Sequence, residues 1–323
     1  MSSIKWNPRV KLILSDVDET LADLYLPADP EMINKITKIL QKEIVLFFIT
    51  GQGIKSVLER IVNKIPENLR WQILVGHCSG TEVWGFDHSG KLNKNPFYSI
   101  YNEKLNDDQK TKLRKIIDKL IKDFELKTYP TMPVELFLNK AGDDPLSIMF
   151  EDRGPQITFE MVNAYDLSDD QLQKLKLKIP NTHGHFDIRI LLMERAERFF
   201  NEEKLPITPR LGGIFALDFA VKGISKTTAV EYVLNNEQVL SSLGLRKSDL
   251  TNPEYLEIWG DKFSVIRGGT DRHMCEAVNP RVRTIDFRKE NPEEFLKGYN
   301  IVTWDGEKHL HEGLLEYLSS DNV

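Results

Sequence analysis

The run KLILSDVDETL, residues 11–21, begins like a buried β-strand, with Leu12, Ile13 and Leu14 in succession. It then sets three carboxylates, Asp16, Asp18 and Glu19, within four positions. Burying a carboxylate costs several kcal/mol unless it is paired or bound to a cation, so a strand that ends this way must deliver its acids to something. Residues i and i+2 of extended chain point the same way; Asp16 and Asp18 can therefore face one site, while alternation turns Glu19 away from it. A calcium loop is excluded. That loop needs Gly at its sixth position and an acid at its twelfth, and here these are Leu21 and Pro27.

The segments around this run repeat one grammar. The apolar stretch EIVLFFIT, 43–50, leads through a Gly turn to Ile54, Val57, Leu58, Ile61, Val62 and Ile65 at helical spacing. KLILSD is likewise followed by a helix carrying Met32, Ile33, Ile36, Ile39 and Leu40, and WQILVGHCSG reads as a third such strand. Strands that are apolar throughout and alternate with amphipathic helices predict a parallel sheet covered on both faces.

From residue 86 the pattern becomes α+β. A long helix has Leu113, Ile116, Ile117, Leu120, Ile121 and Phe124 on one face, and LSIMFED and QITFEMVN read as an antiparallel hairpin through DRGP. A helix over DIRILLMERAERFFNEE and a return to strand in PITPRLGGIFALDFA complete this part. After residue 213 the first grammar resumes, with a helix from Ser225, the strands YLEIWGD, VRTIDF and NIVTWD, and a last helix around Leu314–Leu318. The expected fold class is α/β: a core of residues 1–85 and 213–323 with an α+β domain, 86–212, inserted into it.

Composition narrows the function. A charged fraction of 28% with a formal net charge of -6, acids and bases interspersed, gives no polyanion-binding surface, so nucleic acid is not an expected partner. No stretch approaches the roughly 18 apolar residues of a membrane helix, and the start MSSIKWNPRVKLIL lacks the apolar core of a secretion signal; a cytoplasmic protein without membrane partners is expected. Cys78 and Cys275 form no CxxC or Cys/His cluster, which argues against a disulfide framework or structural zinc.

In a parallel sheet, ligands gather outside the carboxyl ends of the strands, where Asp16 and Asp18 would lie. The next strand ends in FITGQG, offering the Thr50 hydroxyl and the backbone around Gly51 to phosphate oxygens. EIWGDKFSVIRGGTDRHM adds Asp261 just past a strand and Asp271 after a Gly-Gly turn. These are oxygen ligands suited to a hard cation such as Mg2+.

The segments DVDET, ITG, GISKTTAV and GDKFSVIRGGTD resemble, in order, motifs one to four of the haloacid dehalogenase superfamily of phosphotransferases. The insert has the place and grammar of that superfamily's C2 cap, type B, as in its Cof, sucrose-phosphatase and phosphomannomutase groups. The resemblance implies a Rossmann-like core, with Asp16 as nucleophile and Asp18 as general acid and then base. It further implies Mg2+ held by Asp16, the backbone carbonyl of Asp18, and Asp261, with Asp271 behind a water or steadying the lysine. Thr50 and Gly51 would hold a phosphoryl oxygen, and Lys226, which opens a helix after GIS, would neutralise phosphate and Asp16; Lys222 reads as a loop charge. Glu19 departs from a common Gly, Gln52 from a basic or small residue, and Thr270 from Asn.

In the insert, Glu151, Asp152 and Arg153 at the hairpin are candidate substrate contacts, as are Arg189 and Arg210, although charged turns are usually only solvated. The HGH of His183–His185 lacks a third ligand and is discounted, and the lysines from Lys110 to Lys122 interleave with aspartates as a solvated face. The expected function is a Mg2+-dependent phosphatase of a small phosphorylated metabolite, most plausibly a sugar phosphate. The alternative is a hexose-phosphate mutase of the phosphomannomutase type. The long GDK…GGTD segment favours the mutase; the absence of the mutase cap pattern, Arg-x-Gly followed by NxSPxGR, favours hydrolysis. A non-catalytic phospho-ligand-binding module would lack the nucleophile, the acid or the lysine, and all three are present.

Overall fold

The amino-terminal strands are unbroken apolar runs because both of their faces are covered. The computed structural model describes residues 4–164, 187–212 and 215–320. The chain lays down β1 (Leu12–Ser15), β2 (Val45–Ile49), β3 (Ile73–His77), β4 (Glu82–Trp84) and β5 (Tyr98–Ser99), then β6 (Lys127–Tyr129), β7 (Ser147–Asp152), β8 (Gln156–Glu160), β9 (Ile207–Gly212) and β10 (Ala216–Val221). It finishes with β11 (Leu256–Gly260), β12 (Arg283–Asp286) and β13 (Ile301–Thr303). Two compact units result, Met1–Ser99 with Ile224–Val323, and Ile100–Gly223.

The first unit holds an eight-stranded sheet in the order β13-β12-β11-β1-β2-β3-β4-β5. It is parallel from β13 to β3 and antiparallel through β4 and β5. Alternation along β1 feeds two apolar clusters. Ile13 packs with Ile36 and Leu40 of the helix Pro30–Gln41 and with Tyr317 and Leu318 of the helix Leu310–Ser320. Leu12 and Leu14 pack with Val230 and Val233 of the helix Lys226–Asn235. Each such side chain contributes roughly 1.5–3 kcal/mol on burial. The strand order departs from β1 in both directions, to β2 and β3 on one side and to β11, β12 and β13 on the other. That reversal opens a crevice at the carboxyl end of β1.

Two sequence expectations need adjusting. The units divide at 99/100 and 223/224 rather than at 85/86 and 212/213, because β5 pairs with β4 in the first sheet while β10 pairs with β8 and β9 in the second. The helix after β2 spans only Ile54–Arg60 and gives way to a 3-10 turn, Val62–Lys64. It stops because the Arg60 carbonyl accepts from the Ala28 N–H at 3.2 Å instead of continuing the helical ladder. His183–His185 lie outside the described residues.

The second unit holds the sheet β6-β7-β8-β10-β9, with the expected hairpin of β7 and β8 turning at Arg153 and Gly154. Its helix Asp107–Asp123 starts from a capping box between Asn106 and Gln109, and its helix Ile188–Glu202 places Phe200 against Phe219 of β10. Phe159 and Phe219 mark one side of the sheet; the register puts Glu151 and Asp218 each beside Thr158, and Arg210 beside Asp218, on the other. Among the described residues, no helix is long and apolar enough to cross a membrane.

Candidate functional site

β1 stops at Ser15, and the Asp16 N–H donates to the Trp259 carbonyl at 3.0 Å, which seats Asp16 beside the end of β11. Asp261 is the first residue past β11, and the loop that follows doubles back to bring Asp271 alongside. Asp271 Oδ2 accepts from the N–H groups of Asp261 at 2.9 Å and Lys262 at 3.0 Å. This return needs a glycine at 260, since a Cβ there would stand 2.6 Å from Asp271 Oδ2. Asp16, Asp261 and Asp271 are all buried, each presenting an oxygen within 4.8 Å of the others'. Lys226 Nζ, also buried, donates to Asp16 Oδ1 at 2.5 Å and to Asp271 Oδ1 at 2.8 Å. Lys222 is exposed, so of the two candidate lysines only Lys226 reaches the acids.

Burial pushes the Asp16 carboxyl well above its ordinary range, against the pull of Lys226 and with the push of Asp271 and Asp261. Burial and the charge of Asp271 push Asp261 up to about 6. Asp271 is held low despite its burial, because Lys226 and the Asp261 N–H stabilise its charge. Two of these acids hold Lys226 protonated in the reverse sense: burial opposes its charge, and Asp16 and Asp271 more than restore it. Three buried oxygen donors this close, two of them strained toward protonation, fit a hard divalent cation such as Mg2+, which relieves that repulsion.

The Asp18 side chain stands outside this carboxylate group. Its Oδ1 takes a 2.7 Å hydrogen bond from Arg60 Nη1 and its Oδ2 a 3.2 Å bond from Thr50 Oγ1. Thr50 is fully buried and its hydroxyl also accepts from the Gln52 N–H at 3.0 Å, so its single proton is directed to Asp18. Gly51 is partly exposed between them.

Glu19 stays outside the carboxylate group, but strand alternation is not what places it there. The chain leaves extended geometry after β1, and Glu19 adopts a φ of 62°, where Gly carries no steric penalty and other residues pay roughly 1 kcal/mol. Its carboxylate meets Arg288 and lies 3.2 Å from Lys262 Nζ. Arg288 in turn donates to Asp261 Oδ2 at 2.6 Å and to the Asp261 carbonyl at 3.1 Å. Glu19 is thus one cation removed from Asp261. Arg60, Lys262 and Arg288 were all missed from sequence; the one available signal was Arg60, a charged residue sitting in the apolar stripe between Val57 and Ile61.

In the second unit, Arg153 donates to Glu151 Oε2 at 2.8 Å and to Glu160 Oε1 at 3.4 Å, with its side chain 3% exposed. Arg189 donates to Asp187 Oδ2 at 2.8 Å and to the Ala216 carbonyl at 3.4 Å, and Arg210 reaches Gln156 Oε1 at 3.2 Å. Asp152 is paired with Arg114 at 2.8 Å. Cys78 and Cys275 are buried and form no disulfide.

The first unit, with acids and a lysine at the carboxyl edge of a mostly parallel sheet, defines a haloacid dehalogenase-like fold, and solved structures share it. A haloacid dehalogenase-like hydrolase from Bacteroides thetaiotaomicron matches with a TM-score of 0.55 at 13% identity, over 95% of this chain and 99% of its own. The C-terminal domain of C. albicans trehalose-6-phosphate phosphatase matches at 0.54 and 12%, over 96% and 91%. A trehalose-6-phosphate phosphatase related protein matches at 0.51 and 15%, over 95% of each chain. No protein-family model and no curated protein matches the sequence.

Proposed function

We propose that this chain is a Mg2+-dependent phosphatase of small phosphomonoesters, sugar phosphates foremost, working through an aspartyl phosphate on Asp16. The observation that carries the reading is the meeting of the buried Asp16, Asp261 and Asp271, with the Lys226 ammonium on Asp16 and Asp271 and with Asp18 two residues beyond the first of them. The fold shared with trehalose-6-phosphate phosphatase supports the choice of a sugar phosphate.

A carboxylate oxygen of Asp16 attacks phosphorus while the ester oxygen departs, and Asp18 gives that oxygen a proton so that the alcohol leaves neutral. Asp18 then takes a proton from water, whose oxygen attacks phosphorus, releasing inorganic phosphate and restoring the Asp16 carboxylate. Lys226 balances the charge carried by Asp16 and the phosphoryl oxygens. Asp16, the Asp18 carbonyl and Asp261 would hold Mg2+, with Asp271 behind, and the ion supplies neutralisation of phosphoryl charge. For Thr50 to hold a phosphoryl oxygen, with the Gly51 backbone beside it, its proton turns away from Asp18 Oδ2 when substrate arrives. The second unit acts as the cap that selects substrate, through Glu151 and Arg153 and, less directly, through Arg189, whose donors serve Asp187 and Ala216.

The test is phosphate release from a panel of phosphomonoesters with Mg2+, by the intact protein and by Asp16→Asn and Asp18→Asn. Turnover that persists in full in Asp16→Asn overturns the nucleophile. The ten-residue spacing of Asp261 and Asp271 favours the mutase instead; isomerisation of a hexose phosphate with a bisphosphate activator, and no free phosphate, would replace hydrolysis by that reading.

A further inference from the structure

Arg60 is 6% exposed, and each of its three donor nitrogens has a partner on the segment that follows β1. Nη1 meets Asp18 Oδ1 at 2.7 Å, Nη2 meets the Asp23 carbonyl at 2.8 Å, and Nε meets the Leu26 carbonyl at 2.7 Å. Its own carbonyl accepts from Ala28. A planar guanidinium used in this way fixes orientation as well as charge, which a flexible ammonium does not. Among the described residues, the other oxygen of Asp18, Oδ2, receives only the Thr50 hydroxyl at 3.2 Å, a bond that a phosphoryl oxygen can compete for.

We infer that Arg60 is the positioning residue of the acid-base carboxylate. It holds Oδ1 of Asp18 from behind, ties the 18–28 segment to the end of the helix Ile54–Arg60, and so leaves Oδ2 as the oxygen that exchanges a proton with the leaving group. The inference rests on the phosphatase reading above. Positioning matters here because a proton donor displaced by about 1 Å can lose about 10²-fold in rate.

The experiment measures kcat/KM with Mg2+ for p-nitrophenyl phosphate, whose leaving group needs little protonation, and for an alkyl phosphate, whose leaving group needs much. The proteins are wild type, Arg60→Met, Arg60→Lys, Asp18→Asn and the Arg60→Met/Asp18→Asn double variant. The expected result for Arg60→Met is a loss of about 10²-fold on the alkyl ester and less than about fivefold on the aryl ester. In the Asp18→Asn background the further loss is less than about threefold, since the residue acts through Asp18. Arg60→Lys, which keeps a cation in place should Arg60→Met fold poorly, recovers part of the alkyl rate and shows the same bias between esters. Equal losses on both esters, or losses that multiply with those of Asp18→Asn, overturn the inference while leaving the phosphatase reading intact. A wild-type protein that cleaves neither ester overturns the phosphatase reading and this inference with it.

Discussion

The carboxyl edge of the first sheet and the polar side of the second both concentrate buried charge, but they are balanced differently. At the edge, Asp16 and Asp271 share the Lys226 ammonium while Asp261 meets Arg288, and two of the three acids are pushed toward protonation by burial and one another. In the second unit, the buried Arg153 pairs with Glu151 and Glu160 of its own hairpin. Crowded acids pushed toward protonation would be relieved by a cation. A buried arginine paired with carboxylates of its own hairpin stiffens that hairpin.

The widest contrast comes from removing one charge at each place. Asp16→Asn should lower phosphate release by at least about 10³-fold while leaving the metal-free protein no less stable, because it removes mutual repulsion among buried acids. Arg153→Met should act in the opposite manner, unfolding the protein more easily by about 3 kcal/mol through loss of the buried guanidinium that Glu151 and Glu160 face. Denaturant melts of both variants beside a turnover assay decide the matter; an Asp16→Asn protein as unstable as Arg153→Met would erase the distinction.

Asp286, at the end of β12, extends the contrast to pH. Burial pushes its carboxyl up to about 7, against the N–H groups of Glu290 and Arg288 that favour its charge. Between pH about 4 and about 7 the unfolded chain loses this proton and the folded chain keeps it, so stability falls as pH rises through that window, by on the order of 3 kcal/mol. Asp286→Asn should flatten the slope of the denaturation midpoint between pH 4.5 and 7. An unchanged slope assigns the dependence to other groups.

The smallest effect is expected at Glu19. Glu19→Gly removes the pairing with Arg288 and Lys262 but relieves a left-handed backbone, and the two nearly cancel, leaving a change within about 1 kcal/mol in a thermal melt. A larger loss would place Glu19 among the groups that hold Asp261, and would narrow the gap between the edge and the second sheet.

The legible part of this molecule is what depends on neighbours in sequence. The continuous apolar runs of β1, β2 and β3, the hairpin of β7 and β8, and the strand-end positions of Asp16 and Asp261 all follow from short-range periodicity. What was illegible comes from packing between distant segments. Arg60 reaches Asp18 from 42 positions away and Arg288 reaches Glu19 from 269. The partners of Glu19 were hidden because alternation holds only while a strand continues, and β1 ends four residues earlier, at Ser15. The unit boundary at 99/100 was hidden for a similar reason: β4 and β5 are short strands whose membership is decided by the sheet they join.

The construction of the first unit from both ends of the chain also sets a timetable. β1 pairs with β11, and 241 positions separate Thr20 from the Asp261 it touches. At a synthesis rate of about 5–20 residues per second, that interval lasts roughly 10–50 s. Through it the nascent β1 has β2 beside it and no partner on its other edge, while Ile100–Gly223 can already be completing a sheet of its own. The acids at the end of β1, Asp16 and Asp18, keep that end charged and wetted during the wait, which disfavours pairing of the young strand with the wrong neighbour.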